Sequence, residues 1–114
     1  MITFKQGDVI LIPFPFTDFS TIKQRPAVII SSTVFNNSHS DIIVIAITSQ
    51  IPDTISADEY LLDKEEIHKA NLPKASLVKI SKVVTINKLL IRKKLGMLPN
   101  ITIDKIKSIL FSLL

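Results

Sequence analysis

Arg25 stands where a polar stretch, Thr17 to Gln24, meets an apolar run, Pro26 to Ile30. Its guanidinium is a planar fork of donors that grips two phosphate oxygens at once, which the point charge of a lysine cannot copy. Pro26 biases the backbone of Arg25 toward the extended form, so the fork is held in place. A second apolar run, Ile42 to Ile47, leads into Thr48, Ser49 and Gln50, hydroxyl and amide groups of the kind that line a nucleic-acid cleft. RNA can be cut without a metal when its own 2′-hydroxyl attacks the adjacent phosphate. The protein then has only to align the reacting atoms, move protons and stabilise the added negative charge. With a pKa above about 12 an arginine is a poor base at neutral pH, so Arg25 suits transition-state charge and protonation of the leaving oxygen, and the base is unassigned. Residue types alone favour the plainer reading, Arg25 as an ion-pair partner of Asp18 and Thr48 as an ordinary strand residue.

Other residues extend this set. The Thr17 to Gln24 stretch, with Asp18, Lys23 and Gln24, is placed to touch base edges or to close over a substrate, as surface loops often do. Phe14 and Phe16 could stack on unpaired bases, although an alternating pair beside prolines is more often half core. Lys79 and Lys82 punctuate a β-prone run and suit phosphate positioning. His39 and His68 lie far apart in polar surroundings, without metal-ligand spacing.

The chain has 114 residues, 46% of them hydrophobic, which bounds it to one domain, residues 1–114, with enough apolar material for a core. No apolar run approaches the roughly 20 residues needed to cross a bilayer. The start lacks a signal peptide's pattern of basic, apolar and small-residue regions, so a cytoplasmic location is expected. There is no cysteine, which excludes disulfides and thiolate metal sites, and metal-dependent chemistry is not expected. Two glycines are too few for a phosphate-cradling loop, so no nucleotide cofactor is expected. The net charge of +4 is unevenly spread. Residues 1–63 carry three Lys/Arg against seven Asp/Glu, whereas residues 64–114 carry eleven against three. The second half is therefore the face for a polyanion, although any one lysine there serves as well to solvate the surface.

Val9 to Ile12, Pro26 to Ile30 and Ile42 to Ile47 are β-branched runs without helical period, and Pro13 and Pro15 mark a strand end or edge. The polar segment between the second and third runs, Ser31 to Asp41, is expected to be a flexible connection. A short strand is expected around Glu59 to Leu62, followed by a loop or helical turn. Leu77 to Ile86 predicts another strand, Asn87 to Leu90 a turn of helix, and Ile91 to Leu95 a last short strand. Past Pro99, Ile103, Ile106, Ile109, Leu110, Leu113 and Leu114 recur at helical spacing, with Asp104 near the positive helix start. The expected architecture is mainly β with a C-terminal α-helix packed over a small, strongly curved antiparallel sheet.

Phe14-Pro15-Phe16-Thr17-Asp18, then Arg25-Pro26, then Thr48-Ser49-Gln50 at these spacings resemble the MazF/PemK family of toxin endoribonucleases. The later segments fit the family's remaining elements in order, over essentially the whole chain. The resemblance implies an SH3-like barrel of the MazF/CcdB kind working as a homodimer, and a metal-independent, sequence-selective endoribonuclease for single-stranded RNA. It places Arg25 and Thr48 on the family's catalytic arginine and threonine and implies products with a 2′,3′-cyclic phosphate and a 5′-hydroxyl. Thr48 would donate to a non-bridging phosphate oxygen, with Ser49 and Gln50 beside it, and Ser76 falls where family members often carry a serine. It further implies an antitoxin partner whose disordered tail occupies the RNA groove. Relatives frequently carry an acidic or amide residue near the position of Ser81 and Lys82, and glycines in the first loop, and this chain departs at both. The same barrel also carries non-catalytic toxins of the CcdB type that poison DNA gyrase, and an RNA-binding module that has lost turnover is the third alternative.

Overall fold

The computed structural model describes residues 3–14 and 23–114, with the backbone alone at Phe14 and Lys23. The expected roles of Phe14, Phe16, Thr17, Asp18 and the Lys23 side chain fall outside what is described. Along the chain run β1 (Asp8–Phe14), β2 (Lys23–Ile29), α1 (Thr33–Ser38), β3 (Asp41–Thr48), β4 (Glu59–Leu61), α2 (Lys64–Ala70), β5 (Leu77–Asn87), a 3-10 turn (Lys88–Leu90), β6 (Lys93–Met97) and α3 (Asn100–Ser112). Among the described residues the strands form one antiparallel sheet of six in the order β4-β5-β3-β2-β1-β6. Its outer strands, β4 and β6, do not pair with each other, so the mainly β architecture with a C-terminal helix holds while the sheet stays open and does not close into a barrel.

Both faces of the central strands are buried, which is why their sequences read as continuous apolar runs and not as alternation. Val9, Val28, Ile45 and Ile47 join one apolar cluster with Ala70, Leu72, Leu98, Ile103 and Ile106, so α2 and α3 cover that face. Their strand neighbours Ile10, Ile12, Ala27, Ile29, Val44 and Ala46 form a second cluster, against which Phe4, Val84 and Ile91 pack. Each fully buried Ile or Val contributes on the order of 1.5–3 kcal/mol. The register is thereby locked, since a one-residue slip would exchange the two faces.

Three local features differ from expectation. Ser31 to Asp41 contains α1 in place of a flexible connection; the Ser32 hydroxyl caps it by accepting the Phe35 N–H at 3.1 Å. The buried Asn36 ties the helix to the chain start, donating to the Phe4 carbonyl at 3.0 Å. The turn after β4 is a full helix, α2, opened by a reciprocal capping box between Asp63 and Glu66. Glu66 also accepts from the Tyr60 hydroxyl at 2.8 Å and from Thr102 on α3, so one buried carboxylate joins β4, α2 and α3. Burial and that bond push the Tyr60 phenol up to about 12. Asp104 lies beyond the first turn of α3, too far in to act on the helix start as expected.

Two further positions hold the sheet to its surroundings. The buried Asp8 accepts from the Lys5 N–H at 2.8 Å and pairs with Lys94 of β6 at 3.2 Å. A side chain at Gly96 would meet backbone of α2, with a Cβ only 2.4 Å from the Lys69 carbonyl oxygen, so β6 and α2 approach as closely as they do because this residue has none.

Candidate functional site

β2 and β3 pair from Ala27 with Ala46 to Ile29 with Val44. Continuing that register by two residues brings Arg25 level with Thr48, just past the end of the ladder, where Pro26 has no N–H to extend it. The two side chains share the wall of a cleft of about 420 Å³, together with Ala46, Gln50, Glu59, Lys79 and Lys82. Thr48 Oγ1 accepts the Gln50 N–H at 3.1 Å, which fixes the hydroxyl oxygen and leaves its hydrogen to donate elsewhere.

The far wall of the cleft is built by an irregularity. Ile45 pairs with Val83 but Ile47 pairs with Val78, so the four residues 79–82 of β5 stand opposite Ala46 alone. Such bulges re-aim side chains beside functional sites. Here Lys79 and Lys82 both reach the cleft while Ile80 between them stays in the core.

Sequence reasoning missed Glu59. It pairs across the ladder with Lys79, and Lys79 Nζ lies 2.9 Å from Glu59 Oε2 and 3.7 Å from Asp58 Oδ2. Glu59 Oε1 accepts both the N–H and the hydroxyl of Ser56, at 2.9 and 2.7 Å. These bonds, from Ser56 first and then from Lys79, hold the Glu59 carboxyl below its usual range, and the Glu59 bond in turn raises the Lys79 ammonium. Asp58 accepts from Ser81 at 2.6 Å and shares with Glu59 the single hydroxyl proton of Ser56, whose oxygen lies 2.7 Å from each carboxylate; these bonds lower Asp58 to about 2. An acidic group therefore does stand beside Ser81 and Lys82, supplied by the residue before β4 and not by β5 itself. Adjacent acidic residues opening a short β-prone run were the available signal, but their partners on β5, Lys79 and Ser81, lie 20 and 23 residues away. Glu59 is a weak base in this setting: it is ionised, with one oxygen doubly engaged and the other on an ammonium.

The remaining expected residues divide. Gln50, Lys79 and Lys82 join Arg25 and Thr48 in the cleft. Gln24, Ser49 and Ser76 line a second cavity, on the opposite side of the sheet, that Arg25 also borders. The Ser76 hydroxyl is buried and donates to the Lys74 carbonyl at 2.9 Å. His39 stacks on Phe35 with ring centroids 3.9 Å apart, and His68 lies in the last turn of α2; neither borders either cavity. Among the described residues no three His, Asp or Glu side chains converge as a metal site would require, and no described helix is long and apolar enough to cross a membrane.

The fold is that of solved MazF-type toxins. An endoribonuclease solved with its cognate antitoxin, from a mycobacterial species, is 19% identical with a TM-score of 0.74, covering 95% of this chain and 91% of its own. MazF of a MazE–MazF complex from Deinococcus radiodurans is 17% identical with a TM-score of 0.78, covering 99% and 96%, and MazF alone from that organism is 19% identical with a TM-score of 0.71, covering 96% and 93%. No curated protein matches the chain in sequence. The profile of the PemK-like, MazF-like toxins of type II toxin–antitoxin systems matches residues 5–114, and the chain belongs to that family.

Proposed function

We propose that this toxin is a metal-independent endoribonuclease that cuts single-stranded RNA at selected sequences, in the cytoplasm, and so stops translation. The observation that carries this reading is the shared cleft of Arg25 and Thr48, closed on its far side by Lys79 and Lys82. The scissile phosphate lies against the Arg25 fork, with Thr48 donating to a non-bridging oxygen and the lysines holding neighbouring phosphates. The attacking 2′-hydroxyl and the leaving 5′-oxygen then need only alignment and proton transfer, giving a 2′,3′-cyclic phosphate and a 5′-hydroxyl. Relatives solved as endoribonucleases, and with antitoxins, support the same activity and a protein antitoxin as partner. The working form is a homodimer, which repeats the basic surface about its axis and lengthens the groove for RNA.

Purified protein incubated with mixed RNA in EDTA tests this reading. Cleavage that leaves cyclic phosphate ends is expected. Intact RNA, with inhibition of DNA gyrase instead, would reject it in favour of a binding toxin.

A further inference from the structure

Arg25 borders two cavities of opposite character. Because side chains alternate along a strand, Arg25, Thr48 and Gln50 serve the polar cleft, whereas Gln24, Pro26, Ile47 and Ser49 turn to the other face. The second cavity there measures about 360 Å³ and is floored by Leu11, Pro26, Ile47, Leu72 and Leu95. Gln24, Ser49, Asn71 and Lys74 are exposed at its mouth, and the one buried polar side chain among its lining residues, Ser76, spends its hydroxyl on the Lys74 carbonyl. Asn71 is held there in the left-handed conformation that ends α2, its N–H spent on the carbonyls of Ile67 and His68.

We propose that this cavity is a slot for one nucleobase of the RNA, adjoining the phosphate held by Arg25. The inference rests on the ribonuclease reading and adds to it the element that selects sequence. A base has two apolar faces and a hydrogen-bonding edge, which matches an aliphatic floor beneath a mouth of amides and a hydroxyl. A second phosphate is the poorer occupant: the cations that line the cavity, Arg25 and Lys74, are not buried in it, while its floor is aliphatic and offers a desolvated anion no donor. Continuity with the cleft through Arg25 favours the same RNA strand over a separate ligand. Gln24 and Asn71 each offer a donor and an acceptor to a base edge, and Ser49 offers a hydroxyl.

The test uses an RNA oligonucleotide cut by the protein, made uncleavable by a single 2′-deoxy substitution at the cut site, with an abasic residue placed in turn at each flanking position. For the native protein one flanking abasic residue should weaken binding at least tenfold. In Ser49→Trp, where an indole on an exposed residue fills the slot, intact RNA should bind about as weakly and the abasic residue should cost less than twofold. Circular dichroism checks that the variant is folded, and the abasic series on native protein needs no variant. Equal binding of all abasic oligonucleotides overturns the slot while leaving the ribonuclease reading intact. Undiminished RNA binding by Ser49→Trp assigns the cavity to another occupant, such as a partner protein's apolar side chain, and likewise overturns it. Absence of any RNA binding or cleavage by the native protein removes both.

Discussion

Lys79 and Glu59 face each other across the β4–β5 ladder at 2.9 Å, so a cation in the wall of the cleft is held by an anion in the same wall. The pair fixes where the ammonium sits and at the same time cancels much of its field toward a polyanion. Glu59→Gln keeps the shape and removes the nearer of the two carboxylates that face this ammonium, leaving Asp58 at 3.7 Å. RNA should then bind more tightly at low salt, and the plot of log affinity against log salt should steepen by about 0.7, the value of one added phosphate contact on a single strand. Filter binding across a salt series measures this. An unchanged slope would show that the pair stays out of the RNA's path.

On the proposed reading each of Arg25 and Thr48 supplies a donor to the reacting phosphate, so Arg25→Ala and Thr48→Ala should each reduce cleavage by on the order of 10²-fold or more. Arg25→Lys should fail nearly as badly, because a point charge cannot grip two oxygens in one plane. Single-turnover cleavage rates, with circular dichroism to confirm folding, provide the check; retained cutting by both alanine variants would dismiss the site.

Asp58 ties the chain before β4 to Ser81, and its carboxyl is lowered to about 2. Its folded value lies below the unfolded value of about 3.9, so its contribution to stability is present above roughly pH 4 and is lost as the pH falls toward 2. Urea midpoints followed over that window should drop more steeply for the native chain than for Asp58→Asn. Parallel curves would mean that the carboxylate does not anchor β4.

Gly96→Ala places a methyl against backbone of α2 that has no side-chain end to yield. The two elements must separate, at a cost of about 1–3 kcal/mol. Urea unfolding of the purified variant should show that loss, and an unchanged midpoint would place the slack elsewhere in the α2–β6 contact.

Strands were legible wherever both faces are buried, because Val9 to Ile12, Pro26 to Ile30 and Ile42 to Ile47 had to be apolar throughout. The long β5, the 3-10 turn and α3 followed from pattern in the same way. The helix α1 was not legible: its six residues include Asn36, Asn37 and Ser38, polar enough to look like a loop, and it is held by contacts of Asn36 to Ser31 and Phe4. The capping box of α2 was present in the sequence as Asp63 and Glu66, and it marks the helix start more sharply than the weak apolar period after it. In the cleft, Arg25 and Thr48 stood out by residue type and motif, and Lys79 and Lys82 by their place on a β-prone run. Glu59 did not, because its role depends on a ladder partner that no local pattern names.

The extra residues of β5 between Val78 and Val83 have a consequence for how this kind of toxin can change. On either side of them the strand is pinned by Ile45 and Ile47, two residues of the buried interior. Ile80 within the segment belongs to that interior as well, so the positions that can change without disturbing the packed centre are its neighbours Lys79, Ser81 and Lys82. On the proposed ribonuclease reading, exchange of these lysines alters the surface offered to RNA while the framework stays the same.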